Sequence, residues 1–143
     1  FYFYWGPELE DFSKYAKVYY VEIEIAEDNV LGSVNDQTEI TNYAGTYDSA
    51  ILFKGDFSAT AEYCRELVAS VEKTGLPTYD VSTKNCMQVS AEAMQQSFQS
   101  RDSRFWLFRY IVIIVVPTIA LTIIEWFGDE VITGESGQTG IYT

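Results

Sequence analysis

Two thiols and no imidazole set the side-chain chemistry open to this 143-residue chain. Cys86 ends the run Tyr79-Asp-Val-Ser-Thr-Lys-Asn-Cys86 and is followed by Met87-Gln-Val-Ser-Ala-Glu-Ala-Met94. The run predicts a short extended piece, a capping position at Thr83 or Asn85, and a helix opening on the cysteine. Thr and Asn side chains satisfy the free N–H groups of a helix start. Ala91, Glu92, Ala93, Met94 and Gln95 are good helix formers. A thiol in the first turn feels the positive end of the helix dipole, which favours thiolate, and the thiolate is the nucleophile. Cys86 therefore stands where a catalytic cysteine would stand. The plainer alternative is a small buried residue that begins a helix. Cys64 shares a helical stripe with Ala61, Val68 and Val71, so it is expected as core filling. A Cys64–Cys86 bridge stays open from sequence, with both thiols reduced as the preferred state.

The elements that must position Cys86 are legible in outline. Phe1–Trp5 is an aromatic run stopped by Gly6-Pro7, which predicts a buried strand and a turn. Without flanking cations, a stacking platform for sugars or bases is the weaker reading. Residues 16–26 alternate, most clearly in Val21-Glu-Ile-Glu-Ile25, as a strand with one wet face. Glu22 and Glu24 fall on that face, as solvated residues before a paired-carboxylate site. Residues 27–47 read as a long loop with short strands or helical turns at Val30-Leu31 and Glu39–Tyr43. The acidic residues in and next to it, Asp28, Asp36, Glu39 and Asp48, lack calcium-loop spacing. Ser49–Phe53 predicts a short strand. Asp56 or Ser58 then caps a helix to about Lys73, ended by Gly75 and Pro77. The Cys86 helix is expected to run to about Gln99.

The segment 105–127 supports two readings. Six consecutive β-branched residues, Ile111–Val116, favour a buried strand, with Pro117 opening a helix that ends at Gly128. Alternatively 105–127 is one transmembrane helix, flanked by Arg101, Arg104 and Arg109 on one side and acidic residues on the other. The strand-plus-helix reading is preferred. Residues 134–143 are rich in Gly, Ser and Thr and predict a flexible tail after a single domain over 1–133.

Composition excludes some partners. The formal charge is −12, from 9 basic and 21 acidic residues. Nucleic acid is bound by clustered Lys and Arg, so it is not an expected partner. A basic protein partner or a basic substrate is compatible with that charge. Two cysteines are too few for a disulfide scaffold. The start of the chain shows no basic region followed by an apolar run, so no signal peptide is visible.

The pattern Tyr79-x-x-x-Thr83-x-Asn85-Cys86 before a helix resembles the cysteine motif of circularly permuted papain-like, NlpC/P60-related amidases and peptidases. Gly55-Asp56-Phe57-Ser58 opening a helix before the motif is similar to that family. So are Tyr2-Phe3-Tyr4-Trp5-Gly6-Pro7, like the stretch after its histidine, and Val115-Val116-Pro117-Thr118 after its cysteine. The resemblance covers about residues 1–128 and implies an α+β fold: a mostly antiparallel sheet with the cysteine helix packed on it. It implies a hydrolase acting on a peptide or other amide, with Cys86 as nucleophile. Asn85 and Cys86 at the helix start would form the oxyanion site, with no metal and no cofactor. It also implies a histidine, which this chain does not contain. Either the histidine lies outside this segment, or the chain kept the fold and became a non-catalytic binding module. The likeness extends to terminal effector modules of secreted toxins, so the expected location is secreted or cytoplasmic, with membrane anchorage through 105–127 as the alternative.

Overall fold

The computed structural model describes residues 1–7, 16–75, 86–113, 117–132 and 140–142. It is a mixed α+β arrangement of five short strands and six helices among those residues. Strand β1 (Tyr2–Pro7) pairs antiparallel with β2 (Ala16–Val21), placing Tyr2 opposite Val21 and Trp5 opposite Val18. Its other edge pairs antiparallel with β5 (Gly140–Tyr142). The sheet order is therefore β2-β1-β5, with the aromatic strand in the centre.

Side chains alternate across a strand, and β1 uses that period to separate two chemistries. Phe1, Phe3 and Trp5 enter one core with Ala61, Cys64, Val89 and Ala93. Tyr2 and Tyr4 enter another with Val34, Ile40, Ala44 and Tyr47. A buried hydroxyl needs a partner, and Tyr2 Oη finds Tyr47 Oη at 2.6 Å. The Tyr4 ring folds back over Gly6, where any Cβ would overlap it.

The tyrosine side is covered by two short helices, α1 (Val30–Asn35) and α2 (Thr38–Ala44), in the segment expected to be mostly loop. Asn35 ties them to the chain beyond: its Nδ2 donates to Tyr47 O at 2.7 Å, and its Oδ1 accepts from Tyr47 N at 2.8 Å. The ladder of β2 stops at Val21, yet Ile23 and Ile25 still turn inward while Glu22 and Glu24 face water.

The phenylalanine side is covered by α3 (Ser58–Thr74) and α4 (Cys86–Gln95). At the start of α3 the Asp56 carboxylate accepts from Ser58 N at 2.9 Å and from the Ser58 hydroxyl. The helix ends at Gly75, whose φ of 87° suits glycine. Beyond α4 lies a third apolar cluster. It joins Met87, Ala91 and Phe98 to Leu107, Phe108 and Ile111 of α5 (Ser103–Ile113) and to Ile124 of α6 (Pro117–Phe127). A separate two-stranded sheet, β3 (Ala50–Leu52) with β4 (Glu130–Ile132), packs beside it.

One expectation needs correction. Ile111–Ile113 is helical, so the strand expected over 111–116 does not form there; residues 114–116 lie outside the described set. Branched residues prefer strands only weakly, and packing decides. Here Ile111 is fully buried against α4. The α+β class stands: every strand pairing among the described residues is antiparallel, with more residues in helices than in strands. Within the expected tail, Gly140–Tyr142 form β5. Pro117 does open a helix that ends before Gly128, as its fixed φ and missing N–H favour. Among the described residues no helix is long and apolar enough to cross a membrane.

Candidate functional site

Helix α4 is the element that presents Cys86. Seven of its ten residues are buried, so it is enclosed on nearly every side. Val89 and Ala93 face the sheet, while Met87 and Ala91 face α5. Ser90, Ala91 and Ala93 are small, which lets neighbouring backbones approach. Polar groups fasten both ends. Near the start, Gln88 Nε2 donates to Val112 O at 3.0 Å, tying the first turn to the end of α5. Near the end, Thr60 Oγ1 donates to Ala93 O at 2.6 Å. Ser97 Oγ accepts from Thr60 N at 3.0 Å and lies 2.6 Å from Thr60 Oγ1. Buried polar groups satisfied in this way rigidify a core. Cys86 is thus the half-buried first residue of a helix held firmly behind it.

The two thiols are both free and occupy different settings. Cys64 has no exposed surface. Burial pushes its thiol up to about 12, against a small opposing pull from Arg65. An anion there has no solvation, so Cys64 is core filling, as its helical stripe suggested.

The remaining sequence candidates divide clearly. Asn85 and the Tyr79–Lys84 run lie outside the described residues. Tyr2–Pro7 is brought against α4 as β1. Glu22 joins a surface cluster instead of a carboxylate pair: the Tyr20 hydroxyl donates to it, and Arg65 Nη1 lies 3.6 Å from Glu22 Oε1. Arg65 also donates to Tyr20 Oη at 3.1 Å. Both charged side chains are more than half exposed, so this pair adds little stability. Glu39 accepts from the Tyr19 hydroxyl, and burial with that carboxylate lifts Tyr19 to about 12. Among the described residues no cluster of three or more His, Cys, Asp or Glu side chains is placed to hold a metal ion.

A shallow polar groove lies between the start of α3 and the turn before α5, lined by Asp56, Ser97, Phe98, Arg101, Asp102 and Arg104. From sequence, Arg101 and Arg104 have no role beyond flanking the transmembrane alternative. Arg104 is engaged on every side. It donates to Lys54 O at 2.7 Å, meets Asp102 Oδ2 at 3.0 Å and lies over the Phe98 ring at 4.5 Å. Hydrogen bonds from Arg104 hold the Asp102 carboxyl below its usual range. These contacts join β3 to α5, which is a structural role.

The shifted groups make a pH prediction. Cys64 and Tyr19 are raised to about 12, and Tyr63 is raised by burial and by Glu92. In the unfolded chain these groups ionise from about 8.5 to 10. Above that range the unfolded chain has lost protons that the folded chain keeps, so ionisation favours unfolding. Stability is full below about pH 8.5 and falls as pH rises towards 12. Urea midpoints measured across this range should drop steadily. A flat profile would mean that Cys64 and Tyr63 are not buried.

No protein-family model matches this chain, and neither the curated proteins nor the solved structures contain a match.

Proposed function

We propose that this chain carries the cysteine side of a papain-like amidase or peptidase centre, with Cys86 as nucleophile and a histidine contributed from outside these residues. One observation carries the reading. Cys86 opens a helix that is packed between a sheet and a second helical layer, and it is half exposed there while seven of the ten helix residues are buried. A nucleophile needs a fixed position and access, and the half-exposed first residue of a packed helix has both. The motif resemblance at Tyr79–Cys86, and the aromatic strand lying against the helix, support the permuted papain-like form.

In this reading the imidazole takes the Cys86 proton and the sulfur attacks an amide carbonyl carbon. Backbone N–H groups at Asn85 and Cys86 hold the developing oxyanion. The imidazolium returns the proton to the amide nitrogen, the C–N bond breaks, and an acyl-thioester remains. Water then attacks the thioester, releasing a carboxylic acid and restoring the thiol. The chemistry needs no metal or cofactor. The substrate class is the amide bond of cell-wall peptides, proteins or lipids.

The test uses a longer chain from the same gene that includes the preceding segment. Expected is hydrolysis of a fluorogenic peptide or acyl amide, lost at least tenfold in Cys86→Ser with the fold retained. A longer chain that supplies a histidine and has no Cys86-dependent turnover on peptide, amide and ester probes removes the reading.

The absence of histidine from all 143 residues favours a second reading: a binding module that kept the fold and lost the reaction. Its partner would be a basic protein, matched to the charge of −12. In that case Cys86→Ser changes neither turnover nor binding.

A further inference from the structure

Among the described residues, the large apolar side chains left in water all stand on α5 and α6. Trp106 and Tyr110 are 52% and 63% exposed, and Trp126 and Phe127 are 76% and 50% exposed. Leu107, Phe108 and Ile111 of α5 share a buried cluster with Ile124 of α6. Trp106 and Tyr110 are four residues apart and lie on the other side of α5 from that stripe. Trp126 falls two positions past Ile124, on the outer side of α6. The start of α5 adjoins the end of α6, because Arg104 Nη1 lies 3.8 Å from Asp129 Oδ2. The four rings thus stand on the outward sides of two adjacent helices.

The Trp106 ring is held in place. Its Nε1 donates to Ser100 O at 2.7 Å, and it meets Phe105 edge-on with 5.1 Å between ring centroids. Its one polar atom is therefore satisfied inside the molecule, and a fixed ring loses little entropy when it is covered. An apolar contact is what remains for it to make.

The charges around the rings are of both signs. Arg101 and Arg109 are exposed at α5, and Glu125 and Glu130 are exposed at the end of α6. Arg104 and Asp129 already face each other. None of the other four forms an ion pair among the described residues. A surface with unpaired cations on one helix and unpaired anions by the next is complementary to itself. Under a two-fold axis, residue i meets residue j while j meets i. Laying α5 of one copy on α6 of the other brings arginines to carboxylates twice over. A membrane or a partner of one charge sign would match only half of this face.

The area is also of the right size. An aromatic side chain carries about 150–250 Å², so at these exposures the four rings leave about 350–600 Å² in water. That equals the largest apolar patches on monomers, and a stable interface covers about 800 Å² per partner. The rings supply about half of it, and the four charged side chains extend it. The formal charge of −12 makes two copies repel at long range. Physiological salt screens that repulsion beyond about 8 Å, while contacts within the interface persist.

We propose that the outward face of α5 and α6 binds a second copy of this chain across a two-fold axis. Trp106, Tyr110, Trp126 and Phe127 form the apolar centre, and Arg101 and Arg109 of each copy face Glu125 and Glu130 of the other. This pairing does not rest on the Cys86 reading.

The test is sedimentation equilibrium of the full chain in physiological salt, from micromolar to millimolar concentration, with tryptophan emission read alongside. Expected is a mass that rises from one copy to two and stops there, with a blue shift. Trp5 is buried in the single copy, so the shift reports Trp106 and Trp126. Tyr110→Ser/Trp126→Ser leaves the Trp106 hydrogen bond intact and should weaken pairing by about tenfold or more. Arg101→Glu/Arg109→Glu and Glu125→Arg/Glu130→Arg should each pair poorly alone, and mixing the two should restore pairing, because opposite charges then meet at both halves. All of these are exposed positions, and circular dichroism confirms folding. The proposal is overturned if the parent keeps the mass of one copy throughout, whether or not it sediments with lipid vesicles. It is overturned equally if the aromatic variant pairs as well as the parent, if the mixed charge variants pair no better than either alone, or if the mass grows past two copies.

Discussion

Iodoacetamide at neutral pH will alkylate Cys86 and leave Cys64 essentially unmodified in the folded chain. Two independent effects protect Cys64. Its sulfur is sealed in the core with Phe3, Trp5 and Ala93, so the reagent cannot reach it without unfolding. Its thiol is also pushed up to about 12. Relative to a free thiol near 8.5, that alone lowers the thiolate fraction at neutral pH by about 10³-fold. Cys86 is not sealed in this way: it is half exposed at the first residue of α4. The expected record is one modified cysteine in native buffer and two in urea, mapped by peptide mass. An accelerated Cys86 rate, compared with a small-molecule thiol, would show that the helix start favours its anion. Equal protection of both cysteines in the folded state would remove the nucleophile from the proposed centre.

Replacing Phe3 with alanine is expected to cost about 3–5 kcal/mol, the usual range for a buried aromatic ring. Total stabilities are about 5–15 kcal/mol, so the variant would be marginal. Phe3 has no exposed surface, and its ring fills the space between β1 and the α3–α4 layer. The buried residues of that layer facing β1 are Ala61, Cys64, Val89 and Ala93, all much smaller than the ring removed. Tyr2→Phe is the matched comparison on the opposite face of the strand. It keeps the ring and removes only the hydroxyl facing Tyr47 Oη, with an expected loss of about 1 kcal/mol. Urea unfolding of the two variants decides whether ring packing outweighs the buried hydroxyl pair. A Phe3→Ala loss below about 1 kcal/mol would place β1 outside the core.

Local signals in the chain agreed with the structure where one element could be read by itself. Asp56 and Ser58 before a periodic apolar stripe, with Gly75 after it, marked α3 at both ends. Cys64 was legible as core because its stripe has helical spacing. Cys86 was legible as a helix start because its following residues favour helix. The alternation beyond Val21 correctly placed Glu22 and Glu24 in water, although the ladder had already ended.

Features that depend on a distant partner were not legible. Ile111–Ile113 looks like strand in isolation, because branched side chains restrict χ1. It forms helix because α4 offers an apolar face for Ile111 and a Gln88 side chain for the Val112 carbonyl. The buried Thr60–Ser97 pair spans 37 residues and has no local signature. The small helices α1 and α2 are held by Asn35 and Tyr47 and by the tyrosine face of β1, contacts no short window contains.

By itself the sequence determined the apolar stripe and both ends of α3, the starts of α4 and α6, and that this segment holds two thiols and no imidazole. Only the tertiary structure decided that α4 lies between two layers, that one cysteine is sealed while the other is half exposed, and that Trp106, Tyr110, Trp126 and Phe127 stand in water while Phe108 is buried. The physical reason is range. Caps, periodicity and turn residues act over a few positions, whereas burial is set by whichever distant surface happens to cover a side chain.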